Sequence, residues 1–368
     1  MRSIKQIKDI KGKRVLLRVD YNVPVKDGVV ADDFRIKKSL PTINLLQKKG
    51  AKIILISHLG KGGDSLLPVA KVLNKYLKIE FIPEILGENV SNKIKEMKNG
   101  DVIMLENLRN DIGEKESDKI FALNLTKLAD IYVNEAFSVS HREDASIVLL
   151  PKLLPSYAGL QFLAEVENLS KALEKPKHPF LFILGGAKFS TKIPLIEKYL
   201  KVADLVFVGG ALVNNLLKAK GYEVGKSLVD DVPYEFDKIL KNKKLFLLTD
   251  VIVEYDGGFT NKKIEDVAKH DVIVDIGKDT TLLLSELVKK SKLIIWNGPL
   301  GKYESSKDNA TTTVLESIAK AKNESILGGG DLVSFIKDEK GFSFVSTGGG
   351  ATIQFLAEGT LPGIKALQ

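Results

Sequence analysis

Short apolar runs rich in valine, isoleucine and leucine recur along the whole chain and predict strands. They are "RVLLRVD", "AKIILISH", "DVIMLEN", "DIYVNEA", "LFILGG", "LVFVGG", "LFLLTD", "DVIVDIG", "LIIWNGP" and "FSFVSTGG". Between most of them lie segments with helical periodicity, such as "PLIEKYLKVA" and "TLLLSELVKKS". Strands that alternate with helices are typical of parallel sheets covered by helices on both faces. The pattern therefore predicts an α/β fold.

The length of 368 residues favours two domains, because one hydrophobic core seldom organises so long a chain. A segment with helical periodicity from about Tyr157 to Leu173 is followed by a Pro-rich turn, which is typical of a connector. We expect two doubly wound parallel-sheet domains joined by this connecting helix, with a cleft between them. The expected boundaries are 1–156 for the first domain and 157–173 for the connecting helix, and the second domain begins at 174.

The residues that follow the apolar runs are candidates for function, because ligands of open parallel sheets bind beyond the carboxyl ends of the strands. In the first half these residues are charged or hydrogen-bonding, namely Asp20, Asn22, His58, Glu106, Arg109, Asn134 and Glu135. In the second half they are glycines, at 185–186, 209–210, 277, 298, 328–330 and 348–350. This difference between the halves predicts two sheets with two different ligands.

The glycines of the second half predict a phosphate-binding surface, because they let the backbone approach a ligand and precede helix amides that favour anions. A single glycine pair also fits a tight turn or a helix cap. Two nucleotide-binding motifs are excluded. "GYEVGKS" places Gly221 and Gly225 one residue too close for a P-loop, and no strand is followed by G-x-G-x-x-G with a later acid.

Charge and composition narrow the class of protein. The net charge of +8 suits a partner with phosphates, either nucleic acid or a small phosphorylated metabolite, although lysines spread over a solvated surface also explain it. The absence of cysteine excludes disulfides, thiolate metal sites and a cysteine nucleophile. No apolar stretch approaches the ~20 residues that span a bilayer, and "MRSIKQIKDI" has lysines where a signal peptide is apolar, so we expect a cytoplasmic protein.

Twelve segments carry a family resemblance that covers nearly the whole chain. They are "RVDYNVPVKDG", "DDFRI", "PTI", "SHLG", "ENLRN", "VNEAFSVSHREDAS", "LGGAKFSTKI", "VGGAL", "DIG", "WNGPLGKYE", "GGGD" and "STGGGATIQFLAEGTLPG". In this order and spacing they resemble the phosphoglycerate kinases. The resemblance implies reversible phosphoryl transfer between 1,3-bisphosphoglycerate and ADP by a monomer. It also implies 3-phosphoglycerate on the first half and Mg²⁺ with ATP or ADP on the second half. By the same resemblance the connecting helix is a hinge helix, and residues 353–368 return to the first domain, so that the second domain is 174–352.

The resemblance also implies roles for individual residues. Those expected to bind 3-phosphoglycerate are Asp20, Tyr21, Asn22, Arg35, His58, Leu59, Gly60, Lys61, Arg109 and Arg142. Those expected to bind the nucleotide are Gly186, Ala187, Lys188, Lys192, Gly209, Gly210, Asn297, Pro299, Glu304, Gly329, Gly330, Asp331 and Leu332. Arg35, Lys188, Lys192, Gly329 and Gly330 are the expected catalytic residues, and Asp331 is expected to hold Mg²⁺.

The chemistry of these residues suits the implied ligands. Arginine binds phosphate or carboxylate in bidentate fashion. Two lysines at the start of a helix are disfavoured by its macrodipole, but Lys188 and Lys192 become favourable once phosphates arrive. Without the resemblance, Arg35 also fits a surface ion pair, His58 a buried structural histidine and Asp331 a helix cap.

Several positions depart from the family pattern, namely Lys61, Asn110, Glu135, Lys302, Ala310 and Leu332. We expect activity with altered nucleotide affinity, with Leu332 the most consequential because it replaces a hydroxyl.

Two alternatives to kinase function are a non-catalytic descendant that binds nucleotide or acts as a scaffold, and a nucleic-acid-binding module. The first predicts loss among the catalytic cations and Asp331, which are all present. The second needs aromatic platforms, and aromatics are only 7% of the chain. We expect neither nucleic acid nor a membrane as partner.

Overall fold

The computed structural model describes residues 1–231, 233–302 and 309–368. The chain forms two compact units. The first comprises Met1–Glu167 with Thr360–Gln368, and the second comprises Asn168–Gly359. In the described part of the chain no helix is both long and apolar enough to cross a membrane.

The first unit is built on parallel strands. Its strands are β1 (Arg14–Arg18), β2 (Val25–Lys26), β3 (Val29–Val30), β4 (Lys52–Ile56), β5 (Glu80–Phe81), β6 (Val102–Met104), β7 (Ile131–Asn134) and β8 (Ser156–Ala158). Its helices are α1 (Phe34–Lys48), α2 (Leu67–Leu73), α3 (Glu88–Glu96), α4 (Ile112–Lys115), α5 (Lys119–Thr126), α6 (Ala145–Val148), α7 (Leu150–Leu153) and the first part of α8 (Leu160–Glu174). Six strands form one parallel sheet in the order β5-β6-β4-β1-β7-β8, and β2 and β3 form a separate hairpin.

The central strands of this sheet are apolar because both of their faces are covered. Val15, Leu16 and Leu17 of β1 are completely buried, as are the apolar residues of β4. Beyond the carboxyl ends of β1, β4 and β7 the chain turns to the polar residues at 20–22, 57–58 and 134–135. Parallel pairing of β1 with both neighbours brings these three turns to one edge of the sheet.

The second unit contains a second doubly wound sheet. Its strands are β9 (Phe180–Leu184), β10 (Leu205–Val208), β11 (Leu245–Phe246), β12 (Asp250–Tyr255), β13 (Gly258–Lys263), β14 (Val272–Ile276), β15 (Leu293–Asn297), β16 (Glu324–Gly328) and β17 (Phe344–Val345). Its helices, after the end of α8, are α9 (Ile193–Val202), α10 (Leu212–Ala219), α11 (Asp237–Leu240), α12 (Lys278–Lys290), α13 (Ala310–Lys320), α14 (Gly330–Val333) and α15 (Gly350–Glu358). The six-stranded parallel sheet has the order β11-β10-β9-β15-β16-β17.

This strand order reverses between β9 and β15, and such a switch point is where open α/β sheets place their ligands. β9 ends at Leu184 and is followed by Gly185 and Gly186, whereas β15 ends at Asn297 and is followed by Gly298 and Pro299. The glycines that the sequence places after its strands therefore lie at the expected ligand edge.

The predicted α/β class is confirmed, with one strand in a different kind of sheet. The run "DVIVDIG" forms β14, which pairs antiparallel with β12 in a three-stranded sheet of order β13-β12-β14. β12 and β13 are joined by a tight turn in which Asp256 and Gly257 have φ of +49° and +73°. An Asp-Gly pair with two positive φ angles makes a local hairpin here, which departs from the alternation of strands and helices along the rest of the chain.

Helix α8 begins at Leu160, later than the predicted Tyr157, because Tyr157 belongs to β8. The buried carboxylate of Glu135 accepts the backbone N–H groups of Gln161 and Phe162, each at 3.1 Å, and so satisfies the helix start. The last helix, α16 (Pro362–Ala366), belongs to the first unit, where Gly363 donates its backbone N–H to the Ser140 carbonyl at 2.9 Å.

Candidate active site

Asp20, just beyond β1, organises the polar edge of the first unit. Its Oδ2 accepts from Nη1 of Arg35 at 2.7 Å and from the hydroxyl of Ser138, and its Oδ1 accepts from the backbone N–H of Asn22 at 3.0 Å. Burial alone would raise the pKa of Asp20, but the charge of Arg35 and these hydrogen bonds outweigh it and lower the pKa to about 2. Asp20 is therefore ionised at neutral pH and orients Arg35.

His58 follows β4 and is completely buried. Its Nδ1 lies 3.1 Å from Nη2 of Arg18. Because a guanidinium can only donate, Nδ1 is the acceptor and the ring proton is on Nε2. Burial and the nearby charge of Arg18 lower the pKa of His58 to about 3. The Nε2–H group has no hydrogen-bond partner among the described residues, which leaves one buried donor for a ligand oxygen.

Arg18 was not predicted from the sequence as a site residue. Its side chain is completely buried; its Nε donates to the Ser146 hydroxyl at 2.9 Å, and its Nη2 lies 3.8 Å from Oε1 of Glu114. Glu114 is also completely buried and accepts the backbone N–H and the hydroxyl of Ser146 at 2.9 and 2.6 Å. The sequence feature that could have indicated Arg18 is the arginine inside the apolar run "RVLLRVD", because a charge in a buried strand requires a partner.

The loop after His58 is held from two sides. Its Gly60 donates its backbone N–H to Oδ1 of Asn22 at 3.0 Å and accepts from Nη1 of Arg109 at 2.6 Å. Arg109 Nη2 lies 3.5 Å from Asp144, and its buried Nε has no partner in the ranges that the structure describes. Leu59 donates its backbone N–H to Oδ1 of Asn107. Asn107 is a further residue that sequence reasoning missed. The structure therefore brings Asp20, Asn22, Arg35, Gly60 and Arg109 into one hydrogen-bond network, and Nδ1 of His58 lies 3.8 Å from Oδ1 of Asp20.

Three other predicted acid-site residues have different surroundings. Tyr21 is completely buried, and its hydroxyl is hydrogen-bonded to Ser39 at 2.8 Å, which is a structural position. Lys61 is exposed, and its carbonyl accepts from the Lys115 ammonium. Arg142 is half-buried, and its charge contributes to the lowered pKa of His58.

The second unit has a cavity of about 490 Å³ at the carboxyl ends of its central strands. Five predicted nucleotide residues line it, namely Gly186, Ala187, Gly210, Pro299 and Asp331. Much of the remaining lining is apolar and was not predicted, notably Val213, Leu228, Leu248, Val272, Val274 and Ile276. These residues come from α10, from β14 and from the loops between strands, so their convergence depends on the fold. An apolar slot beside glycine turns suits a nucleobase and its phosphates.

The glycines at this edge serve two purposes. Gly210 has φ of +60°, and a Cβ there would lie 2.8 Å from the backbone N and O of Gly186, so this glycine lets two loops pack closely. A Cβ on Gly330, the first residue of α14, would meet no atom within 4 Å. The space that a side chain would occupy at position 330 is therefore open to a ligand.

Lys192 is the N-cap residue of α9, because the helix begins one residue later than the lysine. Its ammonium donates to Oδ1 of Asn297 at 3.3 Å. Burial lowers the pKa of Lys192 to about 8, although the charge of Asp331 opposes the shift. Asn297 Nδ2 is buried and has no partner among the residues described, so a cation and an unpaired amide donor lie side by side. Lys188, by contrast, is exposed in the preceding loop.

The remaining nucleotide residues are placed as follows. Gly209 is buried and closely packed, with Leu300 2.9 Å from where a Cβ would lie, and Gly329 has φ of +101° at the N-cap of α14. Leu332 is completely buried and is not among the described residues that line the cavity. Lys302 does line the cavity. Glu304 lies outside the described residues.

Asp331 fits a magnesium ion. It is an exposed carboxylate in the first turn of α14, beside the open side of Gly330. Among the described residues no group of three or more histidine or acidic side chains is gathered for a metal. A single carboxylate suits Mg²⁺, which keeps several waters and takes its other ligands from nucleotide phosphates.

Comparison with known proteins identifies the family of this chain. The sequence model described as phosphoglycerate kinase matches residues 4–359. The phosphoglycerate kinase of Dictyoglomus turgidum is 44% identical, with 98% of this chain and 96% of the relative covered, and that of Thermosipho africanus is 41% identical over the same shares.

Solved structures give the same result. Phosphoglycerate kinase from Pyrococcus horikoshii has a TM-score of 0.93 at 33% identity and covers 100% of this chain and 98% of its own. The structure from Coxiella burnetii has a TM-score of 0.83 at 36% identity, with 99% and 98% covered. The chain therefore belongs to the phosphoglycerate kinase family.

Proposed function

We propose that the chain transfers a phosphoryl group reversibly between 1,3-bisphosphoglycerate and ADP, giving 3-phosphoglycerate and ATP, through the two sites described above. The observation that carries the proposal is the desolvated Lys192 ammonium beside Asn297 and Asp331 at the switch point of the second sheet. Fixed positive charge in a partly dry site stabilises the oxygens of a migrating phosphoryl group far better than it would in water.

The first unit supplies the site for the acid. Arg35 and Arg109 offer guanidinium groups, and neutral His58 offers an N–H donor for a phosphate or carboxylate oxygen. Arg35 is held by Asp20, so its orientation is set before the substrate arrives. A phosphorylated hydroxy acid, with two anionic ends, matches this set of donors.

The reaction needs no general base in the direction of ATP consumption. A carboxylate oxygen of 3-phosphoglycerate is already ionised at neutral pH and attacks the γ-phosphorus of ATP. The bond from that phosphorus to the β,γ-bridging oxygen breaks, and ADP leaves with the electron pair. In this scheme neutral His58 is a hydrogen-bond donor, in agreement with its low pKa.

Magnesium would be held by Asp331 together with the nucleotide phosphates, and when bound it would neutralise part of their negative charge. Lys192 and the Asn297 amide would contact phosphate oxygens directly. Gly330 would allow the backbone of α14 to approach them, because no side chain intervenes.

Because the acid site belongs to one compact unit and the nucleotide site to the other, we propose that turnover requires closure of the two units. Solution scattering should show a smaller radius of gyration with both substrates bound than with either one. Equal radii in all three states would contradict closure. We also propose a cytoplasmic monomer that binds no nucleic acid, and sedimentation should give a mass close to 40.5 kDa.

The test of the proposed activity is turnover of 3-phosphoglycerate with MgATP, coupled to reduction of the acyl phosphate product. We expect turnover that requires both substrates and a divalent metal ion. Lys340→Met removes an exposed cation that lies 3.8 Å from Asp338 and has no assigned role in either site, and this variant should behave as the parent. Binding of MgADP without any turnover would contradict the proposal and favour a binding protein.

A further inference from the structure

The two lysines that we assign to the migrating phosphoryl group lie at positions 188 and 192 of one loop. This loop, residues 185–192, joins β9 to α9, and we call it the lysine loop. Ser190, between the two lysines, donates both its backbone N–H and its hydroxyl to Oδ2 of Asp230, at 3.0 and 2.9 Å. One carboxylate oxygen, 40 positions further along the chain, therefore holds the turn between the lysines.

Asp230 is itself held by a buried side chain of α10. Nδ2 of Asn215 donates to the backbone carbonyl of Asp230 at 2.7 Å, and Oδ1 of Asn215 accepts the backbone N–H of Asp230 at 3.1 Å. Asn215 is only 4% exposed. The backbone of Asp230 is thus tied to α10 at two points, and its carboxylate extends from this anchored backbone to the lysine loop.

The residue before Ser190 makes a second contact with the same part of the chain. Phe189 is completely buried, and its ring packs against Tyr234 and Phe236 with centroids 6.3 and 5.3 Å apart. Apolar contact is not directional, so it keeps the loop in place without fixing the orientation of the turn. Hydrogen bonds are directional, and those from Ser190 to Asp230 supply that orientation.

The Asp230 carboxylate is ionised at neutral pH. The hydrogen bonds from Ser190 hold the pKa of Asp230 below its usual value, and the charge of Lys188 acts in the same direction. Hydrogen bonds to an ionised carboxylate are stronger than those between neutral groups. Because Ser190 is exposed and Asp230 half-buried, water competes for this contact. We therefore expect it to govern the geometry of the lysine loop rather than the stability of the whole unit.

We propose that Asp230 is a positioning residue for phosphoryl transfer, whose carboxylate holds the lysine loop in the conformation that presents Lys188 and Lys192 to the phosphates. The inference rests on the proposed function, because it assigns Asp230 to the same site. Asp230 acts through Ser190 and needs no contact with a ligand. Such positioning affects the rate strongly, since a displacement of about 1 Å can cost about a hundredfold.

The experiment compares Asp230→Ala with Asp230→Asn, because both variants lose the charge but only asparagine keeps an oxygen that accepts from Ser190. The kcat of Asp230→Ala with 3-phosphoglycerate and MgATP should fall about tenfold, while KM for 3-phosphoglycerate stays unchanged. Asp230→Asn should recover most of the parent kcat. Asp231→Ala is the matched control, because it removes a carboxylate from the next, exposed residue, and it should behave as the parent. Equal losses in Asp230→Ala and Asp230→Asn would overturn the inference.

Ser190→Ala tests the same contact from the side of the loop. It removes the hydroxyl donor but keeps the backbone N–H, so its kcat should fall less than that of Asp230→Ala. The double variant Ser190→Ala/Asp230→Ala should be no slower than Asp230→Ala, because both substitutions act on one contact. Losses that add would show that Asp230 acts through another group, and they would overturn the inference.

Calorimetric titration with MgADP separates this inference from the proposed function, because it needs no turnover. Gly186 and Ala187 of the lysine loop line the nucleotide cavity, so MgADP has to order a loosened loop when it binds. Asp230→Ala should bind MgADP about three- to tenfold more weakly than Asp230→Asn. This difference in a protein without turnover would support the hold of Asp230 on the loop while contradicting the activity. Equal affinities of the two variants would overturn the inference, even with full kinase activity in the parent.

Discussion

Nη2 of Arg18 lies 3.1 Å from Nδ1 of His58, and this contact decides which nitrogen of the histidine ring carries the proton. Because Arg18 and His58 are both completely buried, solvent cannot substitute for either partner. The result is a neutral histidine that presents Nε2–H, one of the donors that we assign to the acid substrate.

The first prediction concerns stability against pH. His58 titrates near 6.5 in an unfolded chain and near 3 in the folded protein, so the unfolded chain binds more protons between these values. The stabilising contribution is fully present above pH 6.5 and is lost as the pH falls towards 3. The parent should lose up to about 1.4 kcal/mol of unfolding free energy per pH unit more than His58→Asn in this window. Urea denaturation between pH 4 and 7 measures it, and parallel curves would contradict the assigned protonation.

The second prediction concerns the buried pair of Arg18 and Glu114. Arg18→Met leaves Glu114 buried without its cation and should cost about 3–5 kcal/mol of unfolding free energy. The double variant Arg18→Met/Glu114→Leu should be more stable than Arg18→Met, because no unpaired charge remains. A denaturation cycle tests the coupling. Losses that simply add would show that the two side chains do not depend on each other.

The third prediction concerns the basic limb of the activity profile. Burial lowers the pKa of Lys192 to about 8, so the free enzyme loses this positive charge as the pH rises through that value. The kcat/KM for MgATP should therefore fall above pH 8. Lys192→Arg should be slower but should keep its activity to higher pH, because arginine stays charged. Lys188→Arg serves as the control, and its kcat/KM should fall above pH 8 as that of the parent does. A parent profile that is flat to pH 10 would contradict the role of Lys192.

The fourth prediction concerns the open side of Gly330. Alanine there meets no atom within 4 Å, so Gly330→Ala should leave the melting temperature unchanged. It should raise KM for MgATP about tenfold if phosphates occupy that space, because an added methyl group in a packed site costs ~1–3 kcal/mol. Gly210→Ala is the contrasting variant, because it should affect stability rather than nucleotide binding. Its φ of +60° and a Cβ only 2.8 Å from Gly186 should destabilise the fold itself. Unchanged nucleotide kinetics in Gly330→Ala would remove this glycine from the site.

The sequence predicted most of the parallel strands, because runs buried on both faces are continuously apolar, as "FLFIL" in β9 shows. It also predicted the polar edge around Asp20 and His58 and the glycine edge around Gly186, since both directly follow strands. Much of the nucleotide site was within reach through the family resemblance alone.

What the sequence did not reveal depends on contacts between distant segments. Arg18 lies 128 positions from Ser146, which its Nε contacts, and no local pattern announces that pair. The apolar wall of the cavity draws on α10, on β14 and on Leu228, which become neighbours only in the folded unit.

The most direct test of the two-site account is calorimetric titration of Lys192→Met and Arg35→Met with each substrate separately. Two separate sites predict a crossed pattern: Lys192→Met binds 3-phosphoglycerate like the parent but MgADP at least about tenfold more weakly, and Arg35→Met does the reverse. If each variant lost both substrates equally, or lost neither, the assignment of the acid to the first unit and the nucleotide to the second would be contradicted.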